Sequence, residues 1–538
     1  MIARLVRGLP RPLRAAPLAL PAGLVPGLAP AAAPARAAAG LSNIQALRGL
    51  AALSVLVHHA AFYAQFLRGA ERPFPGLDAA LGLWGVAVFF AISGFLMAGL
   101  VVRDRPLAFL AHRIVRIFPT YLAVVALFAG LFAALGLTFG GLKPLALSLA
   151  PAGPRSYPLN VEWTLVFETS FYVGLFVVAV AGLAHRIVPL ALGWLGLIAA
   201  ATLLLPRGAI DLTAPPLYAL ALSGACIPFA GGLLLPRLIA SGRLTPSLGL
   251  LALPLGAACL LVETEAARWL GGAAAVLLVG AAAAGRQMQA RNPLSRAALA
   301  LGDWSYVLYL VHVPVLWLAA ALLPGSGLAY GLAGIAASLG VAALLGPLDV
   351  ALYRRLRRRI DATAPRALRR GLSLYLAVFL GCAAWGSVET ARNDRQESRA
   401  RAALAALPPE SWASRTLAES ALSGRGLALP ASLRGELEAI ETLSPTDIVV
   451  SAFAFDPERP KLETMLAVFC DGRLVGLDRP RRYRKDLAAR PGLDGIARRR
   501  TGYRMRLPLA ACPAGAVPLG VAIDADGRMA VLPGTAGR

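Results

Sequence analysis

A few ionisable side chains stand inside stretches that are otherwise apolar: Arg48 and His59 within 43–60, Glu168 within 162–172, and His312 within 302–312. Charged or titratable groups in a bilayer are costly, so each is a functional-site hypothesis. Arg48 and His59 are eleven positions apart. At about 100° per residue they return to nearly the same helix face, about 16 Å apart along the axis. A neutral imidazole there can accept a proton from a hydroxyl, which is general-base chemistry. It can equally be a structural group hydrogen-bonded between helices. His58 points about 100° away and stays open as the alternative base.

Arg113 and Arg116 are i,i+3 neighbours and project together from the cytoplasmic mouth of a span. Paired guanidiniums suit phosphate recognition; on spacing alone, positive-inside anchoring carries more weight. Glu168 lies roughly two turns into its own span, at a depth like that of His59. It is read as orienting or stabilising a protonated His59, binding a polar substrate, or bonding between helices. Tyr172 shares its face at i+4. Ser305, Tyr309 and His312 fall on one face at spacings of four and three, as catalytic groups or as polar glue between helices. Gly85, Ser93 and Gly94 read as close helix packing.

The elements that position these groups are membrane spans. The 538 residues are 57% hydrophobic, with a mean hydropathy of +0.65, which indicates a polytopic membrane protein. The net charge of +24 comes mostly from Arg between apolar runs. That pattern fits positive-inside loops rather than nucleic-acid binding, and no DNA-reading motif or metal-site spacing is present. Apolar runs lie near 44–66, 80–102, 117–137, 161–183, 187–205, 214–236, 246–262, 268–285, 299–322, 326–346 and 371–389. With the N-terminus cytoplasmic, Arg103, Arg105, Arg113, Arg116, Arg186, Arg237, Arg243, Arg286, Arg291, Arg296 and the run 354–370 all fall inside.

This gives an α-helical polytopic membrane protein of about ten core helices plus one extra span, followed by a small, mostly β extracytoplasmic domain. Residues 1–40 read as a disordered basic Ala/Pro-rich tail, 41–350 as the membrane domain, and 351–370 as a basic cytoplasmic segment. A further span follows at 371–389, then a linker or helical region at 390–446. From 447 the alternation turns β, at 448–455, 464–469, 504–507 and 519–523, with Asp471-Gly472 and Asp526-Gly527 as hairpin turns. A β-sandwich over 447–538 is expected. Cys470 and Cys512 lie in this exported part, as a disulfide or as two free thiols. Arg479, Arg481, Arg482, Arg484 and Lys485 make a basic stretch that suits an anionic glycan, lipid headgroups or plain solvation.

Taken in order, five stretches resemble the acyltransferase-3 family of integral-membrane O-acyltransferases. They are Leu47-Arg48-Gly49-Leu50-Ala51-Ala52 followed by His59; Phe89-Phe90 with Ser93-Gly94-Phe95; Arg113-x-x-Arg116-Ile117-x-Pro119-x-Tyr121; Trp163-x-Leu165-x-x-Glu168 with Phe171-Tyr172; and Ser305-Tyr306-x-x-Tyr309-Leu310-x-His312. The resemblance covers about 44–350 and implies transfer of an acyl group, often acetyl, to a hydroxyl on a carbohydrate or cell-envelope glycan. It implies His59 rather than His58 as catalytic base, with Glu168 as its catalytic companion. Arg48, Arg113 and Arg116 would handle the donor, acyl-CoA as a co-substrate with no bound cofactor. Tyr121, Trp163, Tyr172, Ser305, Tyr309 and His312 would support the site. The implied partners are acyl-CoA, a glycan or glycolipid acceptor and the lipid bilayer, in a bacterial-type inner membrane with the C-terminal domain outside. The family often closes its core with a Glu-Pro pair, where this sequence has Asp349-Val350. A reading from another class is a proton-coupled exporter of lipid-linked sugars or acyl groups, with His59 and Glu168 as a relay. No internal repeat supports it.

Overall fold

The computed structural model describes residues 41–68, 75–153, 156–205, 214–259, 261–262, 264–323, 326–444, 447–480, 482–488, 490–493, 495–496, 500–512, 516 and 518–534. The expected N-terminal tail, 1–40, and Arg481 lie outside them. The membrane helices are α1 (Ser42–Arg68), α2 (Pro75–Arg103), α3 (Pro106–Ala134), α4 (Trp163–Val180), α5 (Ile187–Leu204), α6 (Ile227–Ala240), α7 (Ala252–Ala258), α8 (Thr264–Ala284), α9 (Pro293–Leu322), α10 (Gly327–Ala362) and α11 (Pro365–Ala405). Among the described residues nine are long and apolar enough to cross a bilayer, while the segments at 224–240 and 246–258 are shorter apolar helices. Leu127, Leu131, Leu192, Leu197 and Leu344 stay exposed on the outer faces, where lipid would cover them.

Helix α1 is laced at both ends. Asn43 Nδ2 donates to the carbonyls of Ala282 and Arg286, each at 3.0 Å, and Arg68 donates to the carbonyls of Ala320 and Leu323 at the far end. Close to the Asn43 end, α1 and α9 pack backbone to backbone: a Cβ at Gly49 would stand 3.0 Å from the Gly302 nitrogen, and one at Gly302 would collide with the Gln45 carbonyl. Asn292 starts α9 with a capping box, its side chain accepting from Ser295 N while Ser295 Oγ accepts in return, and Pro293 fills the first helical position. Gly94 makes a similar close approach between α2 and α6 against the Phe229 carbonyl. The expected packing role of Gly94 is seen here, whereas Ser93 lines a cavity described below.

Several boundaries differ from the sequence expectation. The third span begins at Pro106 rather than near 117, because proline is well suited to a helix start. Arg113 and Arg116 therefore stand within α3, not at its mouth. The basic stretch 354–359 is no separate segment but the last turns of α10, since nothing in it breaks a helix. The break comes at Thr363 and Ala364, both extended, as the residue before Pro365 disfavours the α region.

Helix α11 runs on to Ala405, well past the span expected at 371–389 and into the region read as linker. After a short helix, α12 (Arg415–Gly424), come strands β1 (Arg434–Ser444), β2 (Asp447–Phe455), β3 (Met465–Cys470), β4 (Arg473–Asp478), β5 (Arg482–Tyr483), β6 (Arg500–Pro508), β7 (Pro518–Ile523) and β8 (Met529–Val531). They form two antiparallel four-stranded sheets, ordered β1-β2-β6-β5 and β4-β3-β7-β8. Ile448, Val450, Ala452 and Ala454 meet Leu466, Val468 and Cys470 between the sheets, the alternation of a sandwich. Met465, Ala467 and Phe469 point the other way onto Ala400, Leu404 and Trp412, so β3 is apolar on both faces. Trp412 stacks on Phe469 at 4.6 Å between ring centroids. The sandwich starts one strand earlier than expected. Glu436, Glu438 and Glu441 gave β1 a helical, linker-like composition, and such charges protect a sheet edge. Asp471 and Gly472 both take positive φ, 49° and 76°, as the β3–β4 hairpin requires. Cys470 and Cys512 form a disulfide. Within the basic stretch, Arg484 pairs with Glu438 and Asp486, and Arg479 with the Asn393 carbonyl and Glu397.

Candidate active site

The cavity among α1, α2, α3, α4, α9 and α10 has a volume of about 230 Å3. Arg48, Arg113, Arg116, Glu168, Tyr172, Ser305 and Tyr309 all line it, beside Phe89, Phe90 and Met97. Seven of the residues singled out by type and spacing therefore meet in one place, from four helices. Tyr121, Trp163, His59 and His312 do not line it.

Arg116 is balanced by a residue that spacing did not single out. Asp349, 4% exposed, accepts from Arg116 Nη1 at 2.8 Å and from Thr120 Oγ1 at 2.6 Å. It occupies the place where a Glu-Pro pair was expected. The Arg116 guanidinium also lies over the rings of Tyr306 and Tyr353, 4.8 and 5.3 Å from their centroids. Arg113 reaches Tyr353 Oη at 3.5 Å and lies 5.9 Å from the Tyr172 ring centroid, while its Nε has no hydrogen-bond partner among the described residues. Glu168 accepts from the Tyr172 hydroxyl and feels Arg116, Arg48 and Arg113. Arg48 donates to Gln45 Oε1 at 3.3 Å. Tyr306 entered the sequence reading only within the fifth stretch, and Tyr353 was given no role there. Asp349 carried a readable signal, an acid in an apolar span with Tyr353 one turn on.

Glu168 is not beside His59, contrary to the depth argument. It sits with the arginines, and the partner of His59 is His312. His312 Nε2 and His59 Nδ1 lie 3.1 Å apart, with ring centroids at 5.0 Å. His59 Nδ1 also faces the Val55 carbonyl at 3.1 Å, and His312 Nδ1 faces the Leu308 carbonyl at 3.1 Å. A carbonyl only accepts, so in each ring Nδ1 carries the proton. His312 Nε2 is then the acceptor for His59 Nδ1–H. His59 Nε2 is left with a lone pair, the form that can take a proton, and His312 can hold the imidazolium that results. His58 rests edge-on against His59, at 4.9 Å, and packs on Gly82.

Tyr309 stands between the two regions. It lines the cavity, and its ring centroid is 5.7 Å from that of His312. Its hydroxyl donates to the Val161 carbonyl at 3.2 Å and shares a hydrogen bond with Thr164 Oγ1 at 2.7 Å. Ser305 Oγ donates to the Gly302 carbonyl at 2.8 Å. Tyr121 donates to Glu162 Oε1 at 3.4 Å, and Trp163 packs edge-on against Phe167.

The acyltransferase-3 family model, an acyltransferase domain, matches residues 41–347, which holds every residue lining the cavity except Tyr353, together with the histidine pair. Comparison with curated proteins and with solved structures returned no match. The family's domain covers more than half of the chain and runs through its apolar helices, so the chain belongs to the acyltransferase-3 family and is a multi-pass membrane acyltransferase.

Proposed function

We propose that this acyltransferase moves an acyl group, with acetyl the first candidate, from acyl-CoA to a hydroxyl of a cell-envelope or exported glycan or glycolipid. His59 is the general base. The observation that carries this reading is the His59–His312 pair, whose hydrogen bonds leave His59 Nε2 as an acceptor. His59 Nε2 removes the proton of the acceptor hydroxyl as its oxygen attacks the thioester carbonyl. The tetrahedral intermediate collapses, the carbon–sulfur bond breaks, and the thiolate takes the proton back from His59.

Donor handling falls to the cavity. Three guanidiniums, Arg48, Arg113 and Arg116, face two carboxylates, Glu168 and Asp349, which leaves an excess of positive charge suited to phosphate. At about 230 Å3 the cavity is smaller than the ~300–1,000 Å3 of pockets that engulf a drug-sized ligand, so it suits part of acyl-CoA rather than the whole. Glu168 acts in this reading by placing the arginines.

The bias of arginines between spans supports an inner-membrane chain with a cytoplasmic N-terminus and an outer sandwich. The Cys470–Cys512 disulfide agrees with an oxidising compartment. The test is acyl transfer from labelled acetyl-CoA by the purified, detergent-solubilised chain, wild type beside His59→Ala. Loss of turnover in a folded variant is expected. Unchanged turnover would remove His59 as base, and no turnover by wild type with any short acyl-CoA would overturn the donor.

A further inference from the structure

We propose that the Tyr63 hydroxyl donates the hydrogen bond that stabilises the carbonyl oxyanion formed during acyl transfer at His59. The proposal rests on the reading of His59 as the base.

Tyr63 follows His59 by one helical turn in α1, and the two rings are nearly parallel, 23° apart with centroids at 6.1 Å. It is 3% exposed, and a buried phenol must satisfy its hydroxyl. Its oxygen accepts from Asn160 Nδ2 at 2.8 Å. An amide NH2 only donates, so the phenol keeps its own proton to give. Among the described residues the structure provides no acceptor for that proton. Tyr309, the phenol beside His312, differs: its proton is already spent on the Val161 carbonyl.

The loop that brings Asn160 to Tyr63 is built for it. Asn160 takes a left-handed conformation, φ 62°, which asparagine tolerates better than most residues. Glu162, completely buried, accepts from Leu159 N at 2.8 Å and Val161 N at 3.0 Å, and so pins the residues on either side. A buried carboxylate is an expensive way to fix a loop that only links two spans. Trp317 meets Tyr63 edge-on from another side, with centroids 6.0 Å apart, and holds the ring in place.

Attack on the thioester places negative charge on the carbonyl oxygen while His59 Nε2 takes the acceptor's proton. A fixed O–H one ring away from the base can meet that oxyanion without reorganising. On collapse the carbonyl re-forms, thiolate leaves with the proton from His59, and Tyr63 keeps its own proton throughout.

The experiment is acetyl-CoA turnover by the full-length chain in detergent, across pH, for wild type, His59→Ala, Tyr63→Phe and Asn160→Asp. Tyr63→Phe keeps the ring. It should lower kcat by about 100-fold, leave KM for acetyl-CoA within about twofold, and leave the acidic limb of the pH profile where it was. Asn160→Asp presents acceptor oxygens that capture the Tyr63 proton, and should lower kcat similarly. Wild-type kcat in Tyr63→Phe beside an inactive His59→Ala would overturn the proposal and leave the base standing. Turnover surviving in His59→Ala would overturn both. A moved acidic limb with an unchanged plateau would make Tyr63 a support for His59 and also overturn it. If Tyr63→Phe does not fold, Asn160→Asp decides alone, and wild-type kcat there counts against the proposal.

Discussion

In the arginine cavity, charge is held by charge, whereas at the histidine pair two neutral rings are held by the backbone. Arg116 is fixed by Asp349, and Glu168 lies among three guanidiniums. His59 and His312 instead lean on the Val55 and Leu308 carbonyls and on each other. On the proposed function, the difference follows from the task. An anion-binding wall must stay charged, so each guanidinium needs a carboxylate or an aromatic face to offset its burial. A base must change charge in every cycle, and a permanent carboxylate against it would hold it protonated. His312 offers a lone pair that strengthens only when His59 becomes cationic.

The contrast is broken most forcefully at His59. His59→Ala should lower acetyl-CoA turnover by about 10³-fold with little change in KM, in the range for a positioned base, as measured by thiol release. Next is Asp349→Asn, which removes the charge that holds Arg116. Unpairing a buried ion costs about 3–5 kcal/mol. The expected result is a lower melting temperature in detergent and a rise in KM for acyl-CoA, with kcat less affected. An unchanged KM would separate Arg116 from the donor. His312→Phe keeps bulk but removes the acceptor for His59 Nδ1–H, and a loss of about 1.5 kcal/mol, roughly tenfold in kcat, is expected in steady-state assays. The smallest effect on turnover is far from either site. Cys470→Ser opens a link between residues 42 apart in sequence, worth about 4 kcal/mol by loop entropy. The sandwich should become protease-sensitive while acetyl-CoA turnover stays within about twofold.

Much of the architecture was legible because it is set locally. Apolar runs marked the helical segments, and short β-type runs bounded by turn residues marked β2, β3, β6 and β7. The i+4 spacing placed Tyr172 on Glu168, and the hydrogen bond is there. Composition failed where it pointed the wrong way: the acidic residues of β1 masked a strand, and the arginines at 354–359 read as a separate basic segment while continuing α10. The site was legible in its membership but not in its pairing. Glu168 and His59 have matching depths, yet the acid joined the arginines and the imidazole joined His312.

The sequence by itself determined which side chains share a face of a helix and how far along it they stand, because those depend only on the helical repeat. It fixed Arg48 with His59, Glu168 with Tyr172, and Ser305 with Tyr309 and His312 as neighbours in azimuth. Only the tertiary structure decided what each face meets. The His59–His312 contact joins positions 253 apart and the Arg116–Asp349 pair joins positions 233 apart. No local repeat reaches that far. Such partners are chosen by which helices pack together and how closely, and the glycines at 49 and 302 set that distance where α1 crosses α9.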